Sequence, residues 1–276
     1  MEKAFLETNA ICRFLEEKLS GEEIRALLSC YEYEPVIGFH VIYELARTFL
    51  SSNKDEIAKT LFEIVRDLNP DISEEPKVIL LNEYNLYSND TRFDYFLRGM
   101  RKHSAREEIV KLAMGVFDDK ARQFISSRDI NFKKEHPIMG QENIKIFLDN
   151  PPVKKLHNFE DVVKYYEGEI PILIKQILKD VASSDEAKGM AGEIDQFPCL
   201  KATVMANIYM IFIAVVHKDV PAIDKVDDHR HIIEASYCDV FVTEEKQLLA
   251  NVPRINSRIK PIKWSTIGKG IEIINA

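Results

Sequence analysis

Residues 239–243 read DVFVT and decide the fold class, because three consecutive apolar residues stand between polar ones. A short uninterrupted apolar run of this kind is typical of a strand buried on both faces, as in a parallel sheet. A helical pattern begins at Asp227-Asp228 and runs to Ser236, and another begins at Lys246. This alternation of helix, strand and helix predicts an α/β architecture.

The same pattern appears at the start of the chain. The apolar run 4–6 predicts a buried strand, Glu7 follows it at once, and Thr8-Asn9 opens an amphipathic helical stretch. A second short apolar run at 35–38 precedes another helical pattern, and 259–264 predicts an edge strand where Pro261 is tolerated. These two flanks predict one discontinuous α/β catalytic domain made of residues 1–50 and 219–276.

Residues 51–218 predict a mostly α-helical insertion, partly packed on that domain. Apolar residues recur there at three- and four-residue spacing, as in 57–68 and 109–117. The most apolar stretch, 202–216, is shorter than the roughly 20 residues that a membrane-spanning helix needs. It therefore predicts a buried core helix.

Composition excludes several classes of protein. The 276 residues carry 10 Gly and 11 Pro, so collagenous and low-complexity chains are excluded. The four cysteines form no C-x-x-C pair, which argues against a structural zinc site or a disulfide framework. The first residues contain no apolar segment with a cleavage site, so the expected location is the cytoplasm. A net charge of −8 argues against indiscriminate coating of DNA.

Four acids are candidates for chemistry because of their places in the predicted elements. Glu7 and Glu245 follow the carboxyl ends of predicted parallel strands, the edge at which open α/β sheets build their sites. Glu44 lies at the margin of the apolar face of its helix, and Asp228 lies within such a face. The alternative for Glu7 is an exposed first-turn acid favoured by the helix dipole, and that for Glu44 is a solvated helix-edge glutamate. For Asp228 the alternative is a position at the helix N-terminus. His231, on the flank of the Asp228 face, is either a structural residue or a supporting one.

Together these residues resemble the PIN-domain nucleases. The resemblance lies in the segments 5–9 (FLETN), 43–45 (YEL), 228–231 (DHRH) and, most specifically, 238–245 (CDVFVTEE). The family usually has Asp-Thr-Asn after its first strand and Thr-x-Asp after the later one, where this chain has Glu7 and Glu245. Both departures lengthen the side chain and keep its charge. The resemblance covers only the two flanks of the chain.

The resemblance implies a three-layer α/β/α PIN-like domain with a central parallel sheet and a metal-dependent nuclease activity. It implies that Glu7, Asp228 and Glu245 bind Mg²⁺ or Mn²⁺, and that Glu44 binds a metal or orients a water. It also implies support by Asn9, Thr243 and His231. The substrate expected by analogy is RNA rather than DNA, which makes an endoribonuclease the leading function. Whether a second copy of the chain or an inhibitor protein is a further partner is left open, and no membrane is expected.

Two other readings remain open. In one, the chain is a catalytically weak PIN-like protein that binds nucleic acid or a protein. In the other, the helical insertion mainly builds an oligomer interface or a lid.

Two basic segments are candidates for holding a polyanion. The segment 246–270 contains no acid and includes Arg254, Arg258 and Lys260, which are expected to line the approach to the acids; the second segment is 98–106.

Overall fold

The computed structural model describes residues 1–51, 53–89, 93–149, 152, 155–220 and 222–268. The protein is α/β, as the sequence predicts, and its single five-stranded sheet in the described residues is wholly parallel. The strand order is β3-β2-β1-β4-β5. The strands are β1 (Glu2–Leu6), β2 (Tyr33–Ile37), β3 (Asp71–Ile72), β4 (Val240–Thr243) and β5 (Lys260–Lys263).

Fourteen α-helices lie in the described part of the chain. The first seven are α1 (Thr8–Glu16), α2 (Gly21–Cys30), α3 (Phe39–Arg47), α4 (Asp55–Leu68), α5 (Pro76–Asn89), α6 (Gly99–Ala113) and α7 (Asp119–Asp149). The others are α8 (Phe159–Tyr166), α9 (Ile170–Ile177), α10 (Ser184–Gly192), α11 (Pro198–Phe212), α12 (Ile223–Glu234), α13 (Lys246–Ile255) and α14 (Trp264–Gly268).

The sheet forms where the sequence is apolar on both strand faces. Every residue of β4 is buried, and the ring of Phe241 stacks on that of Phe5 in the adjacent β1, with centroids 5.4 Å apart. The two strands are in register from Ala4↔Val240 to Leu6↔Val242. Strand β5 is at the edge of the sheet, so Pro261 removes no hydrogen bond that an interior strand would need.

The chain divides into two compact units. The first consists of residues 1–75, 94–128 and 234–276, and contains the whole sheet. It is larger than the predicted catalytic domain, because β3 pairs with β2 and α4 packs on α1, α2 and α6. The second unit, residues 76–93 and 129–233, is helical.

The second unit is built around α11. Its residues Leu200, Val204 and Ile208 are fully buried in a core that includes Phe159 and Met190. Within the described residues, one helical segment, Pro198–His217, is long and apolar enough to cross a membrane by length and composition, and 56% of its most apolar window is buried inside the protein. That burial is typical of the core helix of a soluble protein, as the sequence predicts.

Candidate functional site

The candidate site lies at the carboxyl edge of the sheet, between β1 and β4. The chain passes from β1 to β2 and β3 on one side, and later adds β4 and β5 on the other side of β1. The strand order therefore reverses between β1 and β4. In open parallel sheets, the crevice outside the carboxyl ends of the strands at such a switch point is where ligands bind.

Glu7 is the first residue after β1 and is only 3% exposed. Its backbone N–H donates to the carbonyl of Val242 in β4, at 3.2 Å. Its Oε2 accepts a hydrogen bond of 2.9 Å from the hydroxyl of Thr243, the last residue of β4. A buried carboxylate is costly unless it is hydrogen-bonded, so Thr243 is part of what holds Glu7 in this position.

Thr243 also links Glu7 to Glu245. Its Oγ1 accepts a hydrogen bond of 3.0 Å from the backbone N–H of Glu245. The side-chain amide of Asn9, in the first turn of α1, donates to Oε2 of Glu245 at 3.1 Å. The ends of β1 and β4 are thus joined through Thr243 and Asn9, and this connection brings Glu7 and Glu245 together although 238 positions separate them in the chain.

Glu44 reaches the same region from α3. The hydroxyl of Thr8, directly after Glu7, donates to Oε2 of Glu44. Oε1 of Glu44 lies 3.6 Å from Nε2 of His40, one helical turn earlier. The Glu44 side chain is 20% exposed, so it stands at the margin of the buried face, as the sequence predicts.

The pKa of the Cys12 thiol reflects the negative charge of this region. Burial, together with the nearby charges of Glu7, Glu44 and Glu16, raises the pKa of Cys12 to about 11. Two of the candidate acids therefore act electrostatically on one thiol. At neutral pH this thiol is protonated and is a weak nucleophile.

A cleft of about 380 Å³ opens beside these residues. Sequence analysis missed four of the side chains that line it, Cys12, Arg13, Glu16 and Glu244. Spacing could have revealed the first three, since positions three, four and seven after Asn9 lie on the same face of α1. The lining residues are Asn9, Cys12, Arg13, Glu16, Glu244 and Glu245.

Asp228 and His231 lie in the second compact unit. Helix α12 begins at Ile223 rather than at Asp227, so Asp228 is in its second turn and the helix N-terminus does not explain its burial. The Asp228 side chain is 13% exposed, and the ammonium group of Lys225 lies 3.7 Å from its Oδ2. His231 is 2% exposed. Their convergence with Glu7, Glu44 and Glu245 stays a prediction.

The structure places Arg254, Arg258 and Lys260 toward the amino edge of the sheet, which differs from the expectation that they line the approach to the acids. Lys260 pairs with Val240 at the start of β4, whereas Lys263 pairs with Thr243 at its end. Three residues of strand correspond to about 10 Å. Helix α13 starts next to Glu245 and runs back, so Arg254 lies in its last turn.

The basic segment 98–106 is largely engaged by acids within the first unit. Arg101 forms an ion pair of 2.7 Å with Glu74, and Lys102 contacts Asp71. Asp71, in β3, is also 2.8 Å from the ammonium group of Lys3. Burial alone would raise the pKa of Asp71, but the hydrogen bonds from Lys102 and Lys3 outweigh it and lower the pKa to about 2. These cations thus neutralise buried carboxylates.

Comparisons of the chain with protein-family models, with curated proteins and with solved structures each find no match. The resemblance to PIN-domain nucleases therefore stays a prediction from the segments that carry it. The function is inferred from the residues of the cleft and their geometry.

Proposed function

We propose that the chain is a metal-dependent nuclease, an endoribonuclease of the PIN-like three-layer α/β/α type. The observation that carries the proposal is the connection of Glu7 to Glu245 through Thr243 at the switch point of the sheet. Residues at the two ends of the chain build one acidic locus there, beside an open cleft. A pair of acids with only a structural role is not expected at the edge where open parallel sheets bind their ligands.

The acids of this locus carry the type of oxygen ligand that a divalent cation takes. Hard cations such as Mg²⁺ and Mn²⁺ take carboxylate oxygens, commonly one or two together with waters and a substrate phosphate. Such an ion, when bound, lowers the pKa of a water and offsets charge on phosphate oxygens. Glu7, Glu44 and Glu245 hold the ion in this proposal, and Asp228 joins them on the sequence resemblance alone.

The polar neighbours compensate for the extra length of glutamate. A glutamate has one more rotatable bond than an aspartate, and its carboxylate is harder to fix in one place. Thr243 fixes Glu7, Asn9 fixes Glu245, and Thr8 fixes Glu44. Ligand-orienting contacts of this kind typically change metal affinity or activity by about 10- to 100-fold when removed.

The proposal also places the protein in the cytoplasm. All four cysteines are free thiols in the structure, and Cys30 is exposed. Free exposed thiols persist in a reducing compartment and tend to form disulfides in an oxidising one.

The test is cleavage of a labelled single-stranded RNA by the purified protein, with Mg²⁺ or Mn²⁺ and with chelator. We expect metal-dependent internal cuts, and we expect Glu245→Gln to lower the rate by at least about 100-fold, or about 3 kcal/mol of barrier. Glu16→Gln is the matched control, because Glu16 lines the same cleft and takes no part in the connection through Thr243. Its rate should stay within about threefold of the parent, a barrier change below about 1 kcal/mol.

Three outcomes separate the alternatives. Cleavage that Glu245→Gln abolishes supports the nuclease. RNA binding and metal binding without cleavage at any metal concentration would replace it with the catalytically weak binding protein. Equal loss of activity in Glu245→Gln and Glu16→Gln would show that cleft charge, rather than the linked carboxylates, determines activity.

A further inference from the structure

We propose that the metal centre contains a nitrogen ligand, Nε2 of His40, paired with Oε1 of Glu44, and that it therefore binds Mn²⁺ and later transition ions in preference to Mg²⁺. This inference rests on the proposed function, since it concerns the same acidic locus. It adds a ligand that the resemblance to PIN-domain nucleases does not imply.

The separation of the two side chains is the first argument. Nε2 of His40 and Oε1 of Glu44 are 3.6 Å apart. An N–H···O hydrogen bond has its heavy atoms at about 2.7–3.2 Å, so this distance is too long for a good one. Two ligand atoms at about 2.1 Å from one ion lie about 3.4 Å apart in tetrahedral geometry and about 3.0 Å apart as neighbours in octahedral geometry. The two atoms are therefore not in a good hydrogen bond, and a bound ion needs them to approach by only a few tenths of an ångström.

The second argument is that both side chains are already held in place. The His40 ring stacks on that of Tyr43 at 5.7 Å, and its backbone N–H donates to Glu234. Thr8 holds the other oxygen of Glu44. The His40 side chain is only 3% exposed. Metal sites gain affinity when their ligands need no reorganisation on binding.

A second histidine–glutamate pair in the first unit provides a contrast. His103 and Glu107 have the same four-residue spacing in α6, yet they are 3.1 Å apart and their side chains are 74% and 58% exposed. That geometry is an ordinary surface contact, which contributes little to stability. The spacing alone therefore does not distinguish His40; its burial and its longer distance to Glu44 do.

The consequence is metal selectivity. Mg²⁺ demands oxygen ligands and keeps several waters, whereas imidazole suits transition ions. A centre that combines one imidazole with carboxylates should bind Mn²⁺ about tenfold or more tightly than Mg²⁺, and Co²⁺ more tightly still.

The experiment uses the untagged protein, freed of metal and then loaded with Mn²⁺. Pulsed electron paramagnetic resonance detects nitrogen coupled to the bound ion, and titration calorimetry gives the Mn²⁺ and Mg²⁺ affinities. We expect an imidazole nitrogen signal in the parent and in His103→Gln, and its loss in His40→Gln. We also expect His40→Gln to weaken Mn²⁺ binding by about tenfold or more while Mg²⁺ binding changes little.

The parent spectrum tests the proposal even when a variant fails to fold. His40→Phe keeps a planar ring against Tyr43 and is a second variant without the nitrogen ligand. Mn²⁺ binding without a nitrogen signal would overturn the His40 ligand and leave the nuclease proposal intact. A nitrogen signal that persists in His40→Gln would assign it to another histidine and also overturn the inference. Failure of both ions to bind would instead overturn the proposed function.

Discussion

The backbone N–H of His40 donates to both carboxylate oxygens of Glu234, at 2.9 and 3.2 Å, across 194 positions of sequence. The acid thus caps the N-terminus of α3, the helix that carries Glu44. Helix N-termini leave backbone N–H groups without partners inside the helix and favour negative charge. Glu234 is 3% exposed, so the cap is a buried one.

Gly38→Ala should lower stability, because Gly38 precedes α3 where Glu234 makes its closest approach. A Cβ at position 38 would lie 1.8 Å from Oε2 and 3.1 Å from Cβ of Glu234. Glu234 would have to move and release the cap, which we expect to cost about 1–3 kcal/mol. Gly192→Ala is the control, since nothing lies within 4 Å of a Cβ there. Chemical denaturation measures both, and equal midpoints would refute the capping role.

Glu83→Gln should destabilise the helical unit. Glu83 is fully buried, and its two oxygens accept hydrogen bonds of 2.8 Å from the backbone N–H groups of Cys199 and Leu200 at the start of α11. A glutamine has one oxygen, so its NH₂ group would face one of these donors. We expect a loss of about 2–3 kcal/mol in denaturant titration. Glu193→Gln, at an exposed position of the same unit, should change stability by less than about 0.5 kcal/mol.

Most of the sheet could be predicted from the sequence, because β1, β2 and β4 contain short apolar runs and the segment of β5 is typical of an edge strand. Strand β3 could not, since it has two residues and one of them is Asp71. In the sequence alone an aspartate at this position predicts a loop, because the cations that neutralise it are far away in the chain. Lys3 and Lys102, which neutralise it, lie 68 and 31 positions away.

The candidate site, like the sheet, could be predicted only in part from the sequence. The positions of Glu7 and Glu245 after parallel strands predict that they share an edge, because parallel strands end together. The cap by Glu234 depends on a contact between helices that are far apart in the chain, and periodicity carries no signal for it. The start of α12 was predicted wrongly at Asp227-Asp228, because paired acids are typical of a first helical turn.

The free energy of unfolding should decrease at low pH, over a pH range that the pKa of Asp71 determines. Its pKa is about 2 in the folded protein against an ordinary value of 3.8. A lowered pKa stabilises the fold fully above about pH 4, and this contribution is lost as the pH falls through 2. Asp71→Asn should therefore lower the free energy of unfolding by up to about 2 kcal/mol at pH 7. Denaturant titrations from pH 7 to pH 2 should show the two proteins converging; a constant difference would refute the linkage.

Asp228→Asn should reduce the stabilisation that Mn²⁺ confers. A ligand that binds the folded state adds RT ln(1 + [L]/Kd), so a lost metal ligand appears as a smaller rise in Tm. Without metal we expect little change, because the lost ion pair with Lys225 is offset by relief of repulsion among acids. Asp227→Asn in the same helix is the control. Equal metal shifts in the parent and in Asp228→Asn would remove Asp228 from the site.

The last prediction concerns which cations hold the RNA. An acidic cleft needs nearby positive charge to retain a polyanion. The strand register puts Lys263 at the carboxyl edge beside Thr243, and Lys246 follows Glu245 directly. Both are exposed, and Lys263 lies 3.4 Å from Glu244, a cleft residue. Lys260 and Arg258 lie toward the opposite edge.

Two double variants with the same loss of charge test this placement. Lys246→Gln with Lys263→Gln should weaken RNA binding and lower the slope of log affinity against log salt by about 1.4, since each of the two phosphate contacts on a single strand contributes about 0.7. Arg258→Gln with Lys260→Gln should leave the slope nearly unchanged. Fluorescence anisotropy with a catalytically inactive Glu245→Gln background measures both without cleavage. The reverse ranking would mean that the RNA is held at the amino edge of the sheet, away from Glu7 and Glu245, and would separate substrate binding from the proposed metal centre.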